Sequence, residues 1–268
     1  MARRKRSSAK SLVSRLSRAG VTLISRDVGV LTHAIAFNFL LCLFPLLVVL
    51  LAVASELPAG RRAETLVVAA LAEYIPFAEA EMTRALRGLA QMAGRMEALS
   101  LLLIVWGSSG IFLPVEMVLN RAWGGRAPRS FVLSKLLAFI MTLVGGLIVL
   151  LSVLITMSTR SWGKEWPLVA AWSVKGSALV LTLVLFFLVY RLVPGGPVKS
   201  TVALRAALWG GCAWEVAKYA FVAQLGRMNL KAFYGPAALA AALLLWAYIS
   251  SLALVFGALM APNGDRDG

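Results

Sequence analysis

Five stretches of this chain contain no charged residue: 28–55, 98–115, 136–159, 176–190 and 232–261. A helix needs about 18 or more consecutive apolar residues to cross a hydrocarbon core of roughly 30 Å. A soluble domain spreads its charges far more evenly, so the runs exclude a single mixed globular core. Composition agrees: 60% of the 268 residues are hydrophobic and 15% charged, with a mean hydropathy of +0.83. The chain reads as an all-α polytopic membrane helix bundle. Six transmembrane helices are expected near 29–55, 98–122, 135–159, 172–193, 203–225 and 233–261, with amphipathic interfacial helices besides.

The net charge of +15 suggests a nucleic-acid partner at first sight. Membrane proteins, however, hold Lys and Arg on their cytoplasmic loops, and the loops here can be counted. Residues 1–27, 116–135, 191–205 and the tail carry sixteen Lys/Arg, against ten on the opposite side, five of those in the long segment 56–97. Long loops weigh less in this rule, so both termini are expected in the cytoplasm, with no nucleic acid as partner. Domain limits follow: a basic amphipathic segment 1–27, a transmembrane domain 28–261 and a short cytoplasmic tail 262–268. No cleavable signal peptide is expected, because no small-residue cleavage site follows the basic start.

In 1–27, Leu12, Val13, Leu16 and Leu23 recur at near-helical spacing with Arg15 and Arg18 between them, a pattern that suits an anionic membrane surface. A nucleic-acid-binding arm would want aromatic interleaving, which is missing. Segment 56–97 holds two amphipathic stripes, one of Leu66, Ala70, Leu71 and Tyr74, the other of Leu86, Leu89, Ala93 and Met96. These extracytoplasmic helices either pack on the bundle or cap a cavity.

The most costly feature is the sequence WEVAKY. Glu215 and Lys218 lie about 13–15 Å from the flanking Arg205 and Arg227 at 1.5 Å per residue, near mid-bilayer. There each costs about 2.5–3.5 kcal/mol, while a leucine returns only about half a kcal/mol. At i and i+3 they share a helix face and can pair. The pair either pins helix packing or lines a path for headgroups or protons. His33 and Asn38 are further interior polar candidates, about 140° apart around an ideal helix. Pro45 predicts a kink or a locally opened helix. Gly107, Ser108, Ser109 and Gly110 permit close helix approach. Glu116, Asn120 and Arg121 stand at a predicted helix end, where Glu116 and Asn120 share a face and form either a cap or a cytoplasmic gate.

Catalysis has little support in these residues. One histidine does not make a multi-histidine metal site, no phosphate loop occurs, and Cys42 and Cys212 each sit in an apolar run as small hydrophobes. No enzyme activity, metal or cofactor is expected.

Four phrases, HAIAFNFLLCLFPLLVVL, WGSSGIFLPVEMVLNRAWG, YRLVPGGPVKSTVALRAALWGGCAWEVAKYAFVAQL and YGPAALAAALLLWAYISSLALVFGALM, follow one another in an order that resembles the YihY/BrkB family of bacterial inner-membrane proteins. The resemblance covers roughly 25–261 and rests most on Pro45, Asn120, Trp123, Pro194, Gly210, Glu215, Tyr234 and Gly235. The chain departs from the family where relatives often carry Tyr near Phe37 or Asn38, and an acid where Leu259 stands. The resemblance implies an envelope role. Members have carried a tRNA-processing ribonuclease label that the residues here do not support, and others have been tied to serum resistance and to export of lipid A precursors. It therefore implies membrane lipids as partners and a lipid or lipid-linked anionic substrate. That substrate would pass through a polar cavity among the first, second and fifth segments, where Lys218 and nearby Arg attract a phosphate headgroup. A non-transporting scaffold with an envelope protein partner is the alternative.

Overall fold

The computed structural model describes residues 16–17, 19–23, 25–55, 110–124, 129–162, 167–225, 227–228 and 230–261. All the regular structure among them is helical. We label the helices α1 (Arg26–Ser55), α2 (110–122), α3 (Phe131–Trp162), α4 (Pro167–Leu192), α5 (Ser200–Leu225), α6 (Leu230–Tyr234) and α7 (Ala238–Met260). The two expected amphipathic helices of 56–97, the tail 262–268, Leu12, Val13, Arg15 and Arg18 lie outside the described residues, as do 98–109.

Local chemistry explains where the helices begin and end. Asp27 occupies the first turn of α1, where the helix dipole favours a carboxylate. α2 stops at Trp123 and Gly124, whose φ of 104° is a left-handed conformation that glycine adopts without steric cost. Pro167 opens α4, its missing N–H falling among the donors that a helix start leaves unused anyway. VPGGP at 193–197 then ends it, since neither proline nor paired glycine continues a helix well.

The structure corrects several sequence-based limits. The expected last helix over 233–261 is broken: α6 is followed by a 3-10 turn at Gly235–Ala237, and α7 starts at Ala238. Gly235 takes φ +50° and Pro236 lacks an N–H, so the register cannot run through. α3 and α4 are longer than expected, because polar flanks such as Ser161 and Trp162 still complete helical hydrogen bonds beyond the apolar run. Pro45 is buried inside α1, which continues through it to Ser55, the limit expected for the first span.

α7 is the centre of the bundle, packed between α1 and α5; α4 packs on α5, and α3 on α4. α5 and α7 run antiparallel, as Gly210 meets Gly257 at one level and Phe221 stacks on Trp246 at another. The closest crossing involves three helices. A Cβ on Gly257 would lie 2.6 Å from the Gly210 Cα and 2.7 Å from the Ala206 carbonyl oxygen, and it would also strike the Tyr190 hydroxyl of α4. Only hydrogen fits, which is how small residues let membrane helices approach. Tyr190 itself is fully buried and donates its hydroxyl to the Leu254 carbonyl at 2.6 Å.

The outer surface is apolar. Val132, Leu147, Trp172, Val180 and Val216 are all exposed. By length and composition, three described segments can cross a membrane: Phe131–Ile148, Trp172–Leu192 and Ala238–Met260. Asp27–Leu43 is a shorter apolar helix. The chain is therefore a membrane protein by its own surface, for which lipid rather than water is the fitting solvent.

Candidate functional site

Helix α5 sorts its residues by face. Ala203, Ala206, Ala207, Gly210, Gly211, Trp214, Lys218 and Phe221 are buried, an unusually small-residue face that ends in aromatics and one cation. Lys218 Nζ lies 3.1 and 3.2 Å from the two carboxylate oxygens of Glu215. The lysine side chain is 7% exposed and the glutamate 22%. The ammonium also sits over the Trp214 ring at 5.1 Å and the Tyr219 ring at 5.8 Å, where the ring faces attract a cation.

The depth of this pair is fixed by its neighbours. Trp214 Nε1 donates to Ser250 Oγ at 3.1 Å, and its ring packs on Trp246 at 5.6 Å. Ser250 stands 250 − 238 = 12 residues into Ala238–Met260 and 260 − 250 = 10 from its end. That is about 18 Å and about 15 Å at 1.5 Å per residue. Glu215, adjacent to Trp214, is thus near the middle of an apolar span.

His33 and Asn38 go to different places. His33 Nδ1 donates to the Gly29 carbonyl at 2.6 Å, and its ring lies 4.6 Å from the Tyr248 ring of α7. Asn38 Nδ2 donates to the Ala34 carbonyl at 2.8 Å, while its carboxamide presses on Gly110 of α2, where a Cβ has no room. Each binds α1 to a different neighbour, in line with their angular separation, and they do not gather into one site. Cys42 is buried and Cys212 exposed.

Glu116, Asn120 and Arg121 lie at the end of α2, in a cluster that caps other helices. The buried Glu116 accepts from Ser134 Oγ at 3.0 Å and from the Arg129 N–H at 3.4 Å, at the start of α3. Asn120 Oδ1 accepts from the Gly195 N–H at 2.9 Å, fixing the loop after α4. Arg121 points outward to Asp27 at 3.3 Å, an exposed ion pair. Sequence reasoning gave no role to three neighbours. Trp123 Nε1 donates to the Ala258 and Ala261 carbonyls at 3.0 and 3.1 Å, in the last turn of α7, where carbonyls lack helical partners. Arg129 donates to the Leu192 carbonyl at 2.9 Å at the end of α4. Tyr190 stands edge-on to Trp123 at 5.9 Å. An indole beside a glycine stop was the one local signal for Trp123. The others act on partners more than sixty residues away, which no spacing rule reveals.

A groove of about 490 Å³ opens between α5 and α7, lined by Trp209, Cys212 and Val216 on one side and Ile249, Leu252 and Phe256 on the other, with Leu23 also on it. It is apolar, unlike the polar cavity expected among the first, second and fifth segments. Lys218 is nine residues from Trp209, or about 180° around the helix, so the ammonium faces away from it, whereas Glu215 follows the groove residue Cys212 by three and lies nearer its edge.

Among known proteins, the family model described as Virulence factor BrkB matches residues 22–263. A UPF0761 membrane protein of Rhodospirillum rubrum is 27% identical over 90% of this chain and 56% of its own length. A UPF0761 membrane protein of Aliivibrio fischeri is 25% identical, covering 87% of this chain and 77% of the relative. A Bacillus subtilis protein named putative ribonuclease-like protein YfkH is 22% identical over 83% of this chain and 85% of its own length. The chain thus spans little more than half the length of the Rhodospirillum relative. No solved structure matches.

Proposed function

Starting from a chain that belongs to the BrkB family of membrane proteins, we propose that it transports or flips a lipid or lipid-linked anionic substrate across a bacterial inner membrane. The proposal includes six membrane-spanning helices and cytoplasmic termini. The observation that supports it best is the Glu215–Lys218 pair, an ionic group level with the middle of the neighbouring Ala238–Met260 span, with the carboxylate 22% exposed. A pair retained at that depth, with one member reachable, is suited to exchange partners with a passing phosphate: Lys218 attracts the anion, and Glu215 returns when it leaves. Acyl chains remain in the bilayer throughout. The chain performs no catalytic step in this reading, and movement is downhill, ion-coupled or driven by a partner.

Scrambling of fluorescent phospholipid, and of a lipid-linked saccharide, in proteoliposomes tests this. We expect transport by the wild type and its loss by at least tenfold in Glu215→Gln and Lys218→Met. Wild-type protein that moves neither lipid rejects the reading. Undiminished transport in both variants removes the pair from the mechanism.

One observation favours a second reading, a non-transporting scaffold. The Glu116, Asn120, Trp123 and Arg129 contacts tie one end of the bundle together, which suits a rigid platform for an envelope protein partner. Co-purification of a stoichiometric partner with a transport-silent chain supports it over the first.

A further inference from the structure

The α5–α7 groove has the volume of a ligand site, within the roughly 300–1,000 Å³ such sites occupy, and it opens sideways through exposed Val216 and Cys212. Its apolar lining suits an acyl chain of the surrounding membrane. Apolar lining alone selects nothing there, since lipid tails are as apolar as leucine; selectivity has to come from charge at the groove's end. Arg205 supplies it. It precedes Trp209 by four residues and Val216 by eleven, so all three share one helix face, and Arg205 is exposed. The surrounding end of the bundle is basic. Arg121, Arg129, Arg191, Lys199 and Arg205 lie there, while the carboxylates described at this end are engaged, Asp27 with Arg121 and Glu116 with Ser134 and the Arg129 amide.

We infer that the α5–α7 groove is a binding site for an anionic phospholipid, with one acyl chain along Trp209, Val216 and Phe256 and the phosphate on Arg205. Trp209 stands edge-on to Phe256 at 6.5 Å, forming the floor beneath the headgroup at the interfacial depth where an amphipathic indole is favoured. The site lies on the opposite side of α5 from Lys218. It holds whether or not the protein moves lipid, because a lipid can be retained here without being flipped.

The test uses the full chain in nanodiscs of phosphatidylcholine with either diazirine-acyl phosphatidylglycerol or diazirine-acyl phosphatidylcholine as probe, followed by photolysis and peptide mass spectrometry. We expect adducts within 209–217 and 249–256, richer with the anionic probe. Arg205→Gln should lower the anionic yield about fivefold, the factor one basic side chain contributes near an anionic surface, and leave the zwitterionic yield unchanged. A measurement without any substitution accompanies it. The contrast between the two probes on the wild-type chain is that measurement, since it leaves every residue in place. Equal labelling by both probes, adducts confined to other segments, or an oxidant-induced Cys212–Cys212 cross-link showing a second copy on the groove would each overturn the inference. Loss of scrambling with anionic labelling intact rejects only the transport reading.

Discussion

At the scale of single residues, Lys218 is the most constrained group described. It is an ammonium set among Trp214, Tyr219 and the Glu215 carboxylate. Removing one member of a buried pair leaves the other uncompensated and costs about 3–5 kcal/mol, whereas replacing both with apolar groups is often neutral. Glu215→Ala should therefore destabilise the protein in detergent by about 3 kcal/mol, the low end because the rings still face the cation. The double variant Glu215→Leu/Lys218→Met should recover most of that stability in thermal unfolding. If the double variant is as unstable as the single one, the pair contributes more than mutual neutralisation. The i,i+3 spacing made this contact legible beforehand, because both ends lie on one helix turn. The contacts of Asn120 and Tyr190 were illegible: their partners, Gly195 and Leu254, are 75 and 64 residues away.

Between elements, the α4–α5–α7 crossing sets how near the helices come. Gly210 and Gly257 face each other with Tyr190 across both. Forcing a methyl between backbones costs roughly 1–3 kcal/mol or more in a packed core. Gly257→Ala should lower stability by at least that range, as the obstacles are the Gly210 Cα and the Ala206 carbonyl rather than a movable side-chain tip. Gly145→Ala, where nothing lies within 4 Å, should be neutral or slightly stabilising, since alanine is the better helix former by about 1 kcal/mol. Comparing the two melting temperatures separates helix propensity from packing. Both glycines sit in apolar runs of similar composition, so sequence alone does not rank them. What distinguishes them is the partner surface that each meets.

For the whole molecule, α2 acts as a capping piece. Its end satisfies the start of α3, the loop after α4 and the last turn of α7. Buried hydrogen bonds lost on one side cost about 1–3 kcal/mol each. Asn120→Ala and Trp123→Phe should each lower stability by about that much. Hydrogen exchange should rise at Gly195 in the first variant and stay local if the rest of the bundle is independent. Loss of protection spread across α3, α4 and α7 together would mean that α2 holds the bundle as one cooperative unit. The sequence by itself determined that this chain is helical, apolar-faced and carries Glu215 and Lys218 within pairing distance on one helix turn, because those properties depend on neighbours within a turn or a run. Tertiary structure alone decided that Glu116 and Asn120 cap other helices, that His33 and Asn38 part company, and that the groove lies opposite Lys218. Each of these depends on which distant surface packs against a face, and in lipid that is settled by close backbone approach and hydrogen-bond satisfaction rather than by hydropathy, which is only weakly sided around these helices.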